Sequence, residues 1–377
     1  MTWGHDRGLS PMVATAAQFK ENHPDVTIDW EARPLQGFAD TPVAKLAEDY
    51  DLIVLDHPFI GTMASSGAFV PLSDYLEVRV LQTLAANSVG VSHRSYSYHD
   101  RQWAVAIDAA AQVSAYRPDL LEKFGVAIPE TWDEVFELAA IQPGFVTLPL
   151  LPVDALMSFF SICANADEPA FSRNDGTVVS RDTGETALRI LHRLAKVSRR
   201  EALHWNPIKL WEHMSQTDDV GYCPLGFGYS NYSRKGYRRS VLKFTNIPSA
   251  GFGSIGAILG GAGLAISSRC KAKEIAVAYA QWISGAECQR TVYFSSGGQP
   301  ANRKAWTDVA VNREASNFFI DTLATLSHAF LRPRVENFVE FQAEASFIVS
   351  DFLKGKYATM ETLELMNECY RKNCTAA

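Results

Sequence analysis

The stretch from Ser249 to Ser268, SAGFGSIGAILGGAGLAISS, decides how the rest of the chain is read. It contains Gly251-x-Gly253-x-x-Gly256, the spacing of a dinucleotide-binding fingerprint, in which a strand enters the first glycine and a helix opens on the third. Neither flank fits. Phe244-Thr-Asn-Ile-Pro248 precedes, and Pro248 breaks any strand entering the turn. After Gly256 comes a strand-like run, Ala257 to Ser267, whose repeated glycines would weaken a helix. The motif also sits late in the chain rather than in its first βαβ unit. A backbone that makes odd turns and close approaches between two lobes explains the glycines better than a nucleotide does.

Working outward, the N-terminal third reads as alternating strands and helices. Ser10 and Pro11 suit the N-cap and first position of a helix with Met12, Ala16 and Phe19 on its apolar face, and Pro24 stops it. Val26, Ile28 and Trp30 alternate as a strand, and a helical segment at Val43–Ala47 follows. Asp51-Leu-Ile-Val-Leu-Asp56 is a continuous apolar run typical of a buried parallel strand. This order points to an open α/β sheet, in which ligands sit beyond the carboxyl ends of the strands. Gly4-His5-Asp6-Arg7-Gly8 and Asp56-His57-Pro58 fall at two such ends.

Further along, Gln102–Asp108 reads as a strand. Pro118 opens a short helix that Gly125 closes, and Thr131-Trp-Asp-Glu134 is a capping box. Gly184–Val197 is amphipathic, with Leu188, Leu191 and Leu194 on one side. Helices are expected at Ala272–Ser284, Glu314–Leu326 and twice more from Phe338 onward.

With 377 residues the chain exceeds the ~100–200 of one domain, which suggests two lobes. A net charge of −7 argues against a nucleic-acid footprint, and the densest basic stretches, Ser233–Arg239 and Ser198–Arg200, are short and read as solvated surface. No apolar run reaches the ~18 residues of a membrane span. No basic or hydrophobic leader follows Met1, which leaves a cytoplasmic chain or one whose leader has been removed. The six cysteines include no Cys-x-x-Cys pair, so no metal site is expected, and their spacing leaves disulfide formation open. Gly-x-Ser-x-Gly, the P-loop and His-Glu-x-x-His are absent, which argues against an enzyme; a glycoside-processing activity is the alternative of another class. No cofactor is expected.

Four stretches resemble the extracellular solute-binding proteins of ABC transporters, family 1, the group that includes the maltodextrin-binding proteins. They are TWGHDRG (2–8), YDLIVLDHPFIGTMASSGAFVPLSDYL (50–76), AYRPDLLEKFGVAIPETWDEVFELA (115–139) and LGGAGLAISSRCKAKEIAVAYAQWISGAECQRTVYFSSGGQPANRKAW (259–306). The resemblance implies an α/β, two-lobed periplasmic-binding-protein fold of type II, with hinged lobes and a ligand cleft between them. Carried over, the N-terminal lobe is 1–108 and 256–306, and the C-terminal lobe 109–255 and 307–377. It further implies a monomeric substrate-binding component of an ABC importer, periplasmic with its leader removed, that closes on a sugar, polyol or sugar derivative and serves membrane permease subunits.

The same resemblance places candidate ligand residues. Asp6 and Arg7, with His5, follow the first strand; charged groups hydrogen-bond strongly to hydroxyls, though a surface pair is the plain alternative. Asp56 and His57 end the third strand, where Asp56 could equally cap the next helix. Asp108 and Gln112 flank a crossing between lobes, although Ala109–Ala111 departs from the maltodextrin-binding pattern. In GYCPLGFGYSNYSRKGY (221–237), strand alternation puts Phe227, Tyr229 and Asn231 on one side, and Tyr229 and Asn231 are chosen for stacking on and bonding to a sugar. Trp103 and Trp205 are further stacking candidates, and Phe338 corresponds to an aromatic at the cleft. Arg332, with Arg334, either binds an anionic group, which keeps a sugar-acid or small-anion binder open, or pairs with Glu336 and Glu340 at the surface.

Overall fold

The strands are β1 (Thr2–Trp3), β2 (Ala32–Arg33), β3 (Leu52–Leu55), β4 (Ser97–Tyr98), β5 (Arg101–Gln102), β6 (Val105–Tyr116), β7 (Tyr222–Phe227), β8 (Lys243–Thr245) and β9 (Leu259–Ile266). They come from a computed structural model that describes all residues except 35–42, 174, 252, 254, 255, 376 and 377. The chain divides into two compact units. One comprises Met1–Ala110, Gly260–Arg313 and Arg334–Glu336; the other comprises Ala111–Leu259, Glu314–Pro333 and Asn337–Ala377. Both β6 and β9 continue across the division.

In the first unit the opening helix spans Asp6–Asn22, so Ser10 and Pro11 lie inside it rather than at its start. His5 takes the N-cap instead: its Nδ1 accepts from the Arg7 N–H at 3.0 Å. Asp6 then sits in the first turn, where the helix dipole favours a negative charge. The strand expected at Val26–Trp30 forms no ladder, although its apolar side chains pack on the core; the ladder begins two residues later, where β2 runs parallel to β1.

β3 is buried along its whole length, but its ladder partner β9 is antiparallel, with Leu55 opposite Gly263. A continuous apolar run reports that both faces are covered, not which way the neighbour runs. The core beside it joins Met12, Phe19, Val54, Leu72, Ile107, Leu264 and Ile283. The Lys273–Ser284 helix closes on the first helix through Tyr279, whose hydroxyl lies 2.8 Å from Thr15 Oγ1 and whose ring meets Phe19 edge-on at 5.2 Å.

In the second unit the end of β6 pairs with β7, Gln112 opposite Phe227, and with β8, Ala115 opposite Phe244. The Pro152–Asn165 helix is buried almost throughout and packs against the Arg181–Val197 and Phe338–Leu353 helices. Thr131 and Glu134 form the expected capping box of the Trp132–Ala139 helix. The single helix expected at Glu314–Leu326 is broken. Val309–Glu314 and Phe318–Ser327 are separate helices, because Ser316 and Asn317 take left-handed conformations (φ 50° and 68°) between them. Phe338 belongs to the core rather than to any surface: it is fully buried, 5.4 Å from the Phe171 ring and 5.5 Å from Phe341. All six cysteines are free thiols, five buried and Cys374 half-buried.

Gly251, Gly253 and Gly256 all have positive φ (104°, 85° and 96°), and strand β9, not a helix, follows them. The amides of Gly251 and Gly253 both donate to Ser249 Oγ at 3.0 Å, so the turn is closed by its own serine. Gly256 carries a second constraint, since a Cβ there would collide with the backbone of Ala164 and Asn165. Gly253 faces open space. Gly253→Ala is therefore expected to cost about 1–2 kcal/mol of stability, the left-handed penalty alone. Gly256→Ala should cost at least ~1 kcal/mol more through overpacking. Chemical denaturation of the two variants measures the difference, and equal losses would refute the close approach.

Candidate functional site

In the first unit the charged segment after β1 is the opening turn of a helix, and this turn aims Arg7 at β6. Arg7 Nε donates to Asp108 Oδ2 at 2.7 Å and Nη2 donates to Oδ1, a two-pronged pair. Arg7 is 3% exposed and Asp108 1%, so the two form one buried, neutralised pair. Burial pushes the Asp108 carboxyl up; Arg7 pulls it down by charge and hydrogen bonding, and the charge of Asp56 pushes it up again. Asp56 is thus close enough for its charge to be felt. It caps the 3-10 turn His57–Phe59, accepting from the His57 N–H at 2.8 Å, with His57 Nδ1 3.1 Å from the same oxygen. The capping alternative for Asp56 is therefore realised, yet its side chain stays 39% exposed while His57 is enclosed. His5 is engaged in capping, and Asp6 is exposed in the first helical turn.

In the second unit Gln112 is fully buried and its amide is committed to the Pro152–Asn165 helix. Nε2 donates to Ser158 Oγ at 3.2 Å, and Oε1 accepts from Ser161 Oγ at 2.6 Å. β7 ends at Phe227, so strand alternation does not govern Tyr229 and Asn231; Tyr229 precedes the 3-10 turn Ser230–Ser233 that holds Asn231. The Tyr229 ring meets Tyr232 edge-on at 6.5 Å. Tyr232 in turn donates its hydroxyl to Glu212 Oε1 at 2.8 Å. Arg238 grips Glu212 with Nε at 2.9 and 2.8 Å and Nη2 at 2.6 Å, and stacks 4.2 Å over Tyr237. The tyrosine segment is thereby braced from behind.

The two arginines fall in different units. Arg332 lies in the second unit and donates to Gln342 Oε1 at 2.7 Å and to the Leu259 carbonyl at 3.4 Å. Arg334 lies in the first and donates to the carbonyls of Arg94 (2.7 Å) and Ser97. Neither of these bonds is the surface pairing with Glu336 or Glu340; Glu336 accepts from Ser65 instead. Trp103 is buried with its Nε1 on the Tyr98 carbonyl at 3.1 Å, and Trp205 is half-buried with its ring against His213 at 4.7 Å. Sequence reasoning missed the Tyr232–Glu212–Arg238 brace and the polar residues of the Pro152–Asn165 helix. The brace has no local signal, since Glu212 lies far from Tyr232 in the chain. The helix does: Asp154, Ser158, Ser161 and Asn165 recur at helical spacing in an apolar run.

Among the described residues no group of three or more His, Cys, Asp or Glu side chains could hold a metal ion. No described helix is long and apolar enough to cross a membrane.

A family profile described as bacterial extracellular solute-binding protein matches residues 4–290, and the chain belongs to that family. Its members are binding proteins rather than enzymes. Three solved structures carry the same two-lobed α/β fold. MalE3 of T. maritima with maltose bound is 19% identical, with a TM-score of 0.82 over 97% of this chain and 96% of that one. The GacH receptor of Streptomyces glaucescens, solved unliganded and with acarbose, is 16% identical, with a TM-score of 0.82 over 100% and 97%. An ABC transporter solute-binding protein of Agrobacterium radiobacter K84 in complex with ribitol is 19% identical, with a TM-score of 0.79 over 97% and 96%.

Replacing Arg7 by Met leaves Asp108 buried without its counter-charge, which is expected to cost about 3–5 kcal/mol near neutral pH. Both influences by which Arg7 lowers the Asp108 pKa vanish in the variant, so its folded-state pKa rises further above the unfolded value. Stability attached to such a raised carboxyl is present at low pH and lost as pH rises. The deficit of Arg7→Met relative to wild type should accordingly shrink on acidification from pH 7 towards pH 5. Urea titrations at several pH values test this, and a pH-independent deficit would count against it.

Proposed function

We propose that the chain is the substrate-binding component of an ABC importer and carries a small, neutral, polyhydroxylated solute in the periplasm to membrane permease subunits. Support comes from the family, and from maltose, acarbose and ribitol in the related structures, which share dense hydroxyl groups. The observation that carries the preference for a neutral solute is the Arg7–Asp108 pair, in which the Arg7 guanidinium is balanced by a carboxylate while Asp56 stays half-exposed. Asp56 and the exposed Asp6 supply acceptors for hydroxyls. In the second unit Tyr229, braced by Tyr232, offers a ring for the C–H face of a sugar, with Asn231 beside it to bond a hydroxyl.

Loading is a conformational event in this reading, because a transporter senses loading only through a shift between two shapes with different affinity for solute. A thermal-shift screen against maltose, acarbose, ribitol and gluconate tests the reading, since a ligand bound only by the folded state raises the melting temperature. A rise with a neutral solute and none with gluconate is expected, with calorimetric stoichiometry near one and a smaller radius of gyration in small-angle scattering. Chemical consumption of the titrant, or no response to any neutral solute, would overturn it.

Tyr229→Ala should weaken binding of the responding solute by about tenfold, given ~0.5–1.5 kcal/mol for a ring contact beyond its area. Trp132 instead packs inside the second unit with its Nε1 on Asn165 Oδ1 at 2.9 Å. Trp132→Ala should lower stability by ~3–5 kcal/mol and change affinity less. Unchanged affinity in Tyr229→Ala removes that ring from the site.

A further inference from the structure

Within the second unit the Thr359–Tyr370 helix runs directly into a single π-helical turn, Arg371–Thr375, and both pack on the Phe338–Leu353 helix. Cys369 lies near the end of the first and Cys374 within the second. In an α-helix of about 3.6 residues per turn, positions five apart point to different faces. A π turn closes its hydrogen bond over five residues and so returns such positions to one side. Residues joined this way fall within the ~7 Å between Cα atoms that a disulfide spans.

The contacts of the two thiols bear this out. Cys374 Sγ donates to the Asn337 carbonyl and Cys369 Sγ to the Phe341 carbonyl, each at 3.9 Å. The Phe341 N–H itself donates to the Asn337 carbonyl at 3.1 Å, so the two acceptors stand on successive turns of one helix. Both sulfurs therefore line the same edge of the same helix. Asn373 folds back over the inner one, with Nδ2 3.0 Å from the Cys369 carbonyl and 3.6 Å from its Sγ. Burial, the neighbouring Cys369 and then Glu340 push the Cys374 thiol up to about 12, so the two thiols lie close enough to feel each other. Cys163, Cys223, Cys270 and Cys288 are enclosed and serve as small apolar side chains. Cys374 is half-buried beside a buried partner. An outer thiol that meets the reagent, next to an inner thiol that resolves it, is the usual layout of a redox pair.

We propose that Cys369 and Cys374 are a dithiol site for low-molecular-weight disulfide oxidants, closing into an intramolecular disulfide across the π turn. Cys374 loses its proton and attacks one sulfur of the oxidant, whose S–S bond breaks. One half of the oxidant leaves as a thiolate, takes up a proton, and leaves a mixed disulfide on Cys374. Cys369 then loses its proton and attacks Cys374 Sγ, releasing the second half as a thiol. Two protein thiols are oxidised to one disulfide, and one oxidant disulfide is reduced to two thiols. The raised thiols, faced by Glu340 and Glu344, make the closure slow at neutral pH. The site is independent of which solute the chain binds.

The test incubates the reduced full chain with excess glutathione disulfide at pH about 8.5, where more thiolate is present. After quenching and alkylation the protein is cut with trypsin, which cleaves after Arg371 and Lys372, between the two cysteines. Peptide mass spectrometry is expected to find the two cysteine peptides joined in most of the folded protein, with no glutathione retained. In Cys369→Ser the glutathione adduct on Cys374 should persist, and in Cys374→Ser the Cys369 thiol should be modified at least about tenfold more slowly than in wild type. The oxidised wild type should melt about 1–2 °C above the reduced form. A lasting adduct on Cys374 of wild type overturns the proposal. So does a bond that forms only after urea has unfolded the chain. A bond that lowers the melting temperature overturns it too, since the native turn must then break to admit it. The wild-type result decides by itself if either serine variant fails to fold.

Discussion

A guanidinium delivered by the first helix is what allows an ionised carboxylate to sit inside the first unit. Asp108 lies in the middle of a fully buried stretch of β6, where an isolated charge would not be tolerated. Arg7 reaches it only if the helix begins at Asp6, so the start of that helix, the capping role of His5 and the placement of Pro11 in its interior all follow from one ion pair. The backbone around the carboxylate is held as tightly. The Ala109 N–H donates to the Gln299 carbonyl, Gln299 Nε2 donates back to the Ala109 carbonyl at 2.8 Å, and Gly261 passes so close to the Asp108 carbonyl that a side chain there would collide. Exposed Asp6 and half-exposed Asp56 are displayed from this rigid base.

The second unit solves a related problem by different means. Its candidate residues stand on a short turn after β7, and a turn by itself is a poor support for an aromatic ring. Tyr232, tied to Glu212 and through it to Arg238, gives that turn a rigid backing drawn from the Pro207–Gln216 helix and the segment beyond the turn. Bidentate arginine geometry suits such a task, since its donors are fixed in one plane. The polar face on the Pro152–Asn165 helix does the same for the end of β6 through Gln112. Buried polar networks of this kind add specificity of arrangement more than stability, and they hold neighbouring groups to one geometry.

Where local chemistry settles the geometry, the sequence is readable without the structure. The Thr131–Glu134 capping box, the Pro118 start and Gly125 stop, the buried run at Leu52–Leu55 and the non-nucleotide character of the glycine stretch are all cases in which residues within one or two turns carry the outcome. Where a distant partner decides, local signals mislead. Ser10-Pro11 is a good helix start by itself, but with the ion pair across to Asp108 the helix starts five residues earlier. Alternation along β7 does not reach Tyr229, because the strand stops at Phe227. Resemblance to relatives puts Phe338 at the cleft, while the two rings against it, Phe171 and Phe341, make it core. Arg332 and Arg334 are neighbours in sequence but their side chains serve different units.

The cysteines lend themselves to a different use. Burial pushes their thiols up, Cys288 to about 12 and Cys369 to about 11, and it does the same for Cys163, Cys223 and Cys270. Thiols react as thiolates, so each of these stays silent towards alkylating reagents until its surroundings open. Cys270 and Cys288 belong to the first unit, Cys163 and Cys223 to the second. The rate at which each is modified is therefore a clock for the local opening of its own unit. The native chain carries its own gauge of which half lets go first.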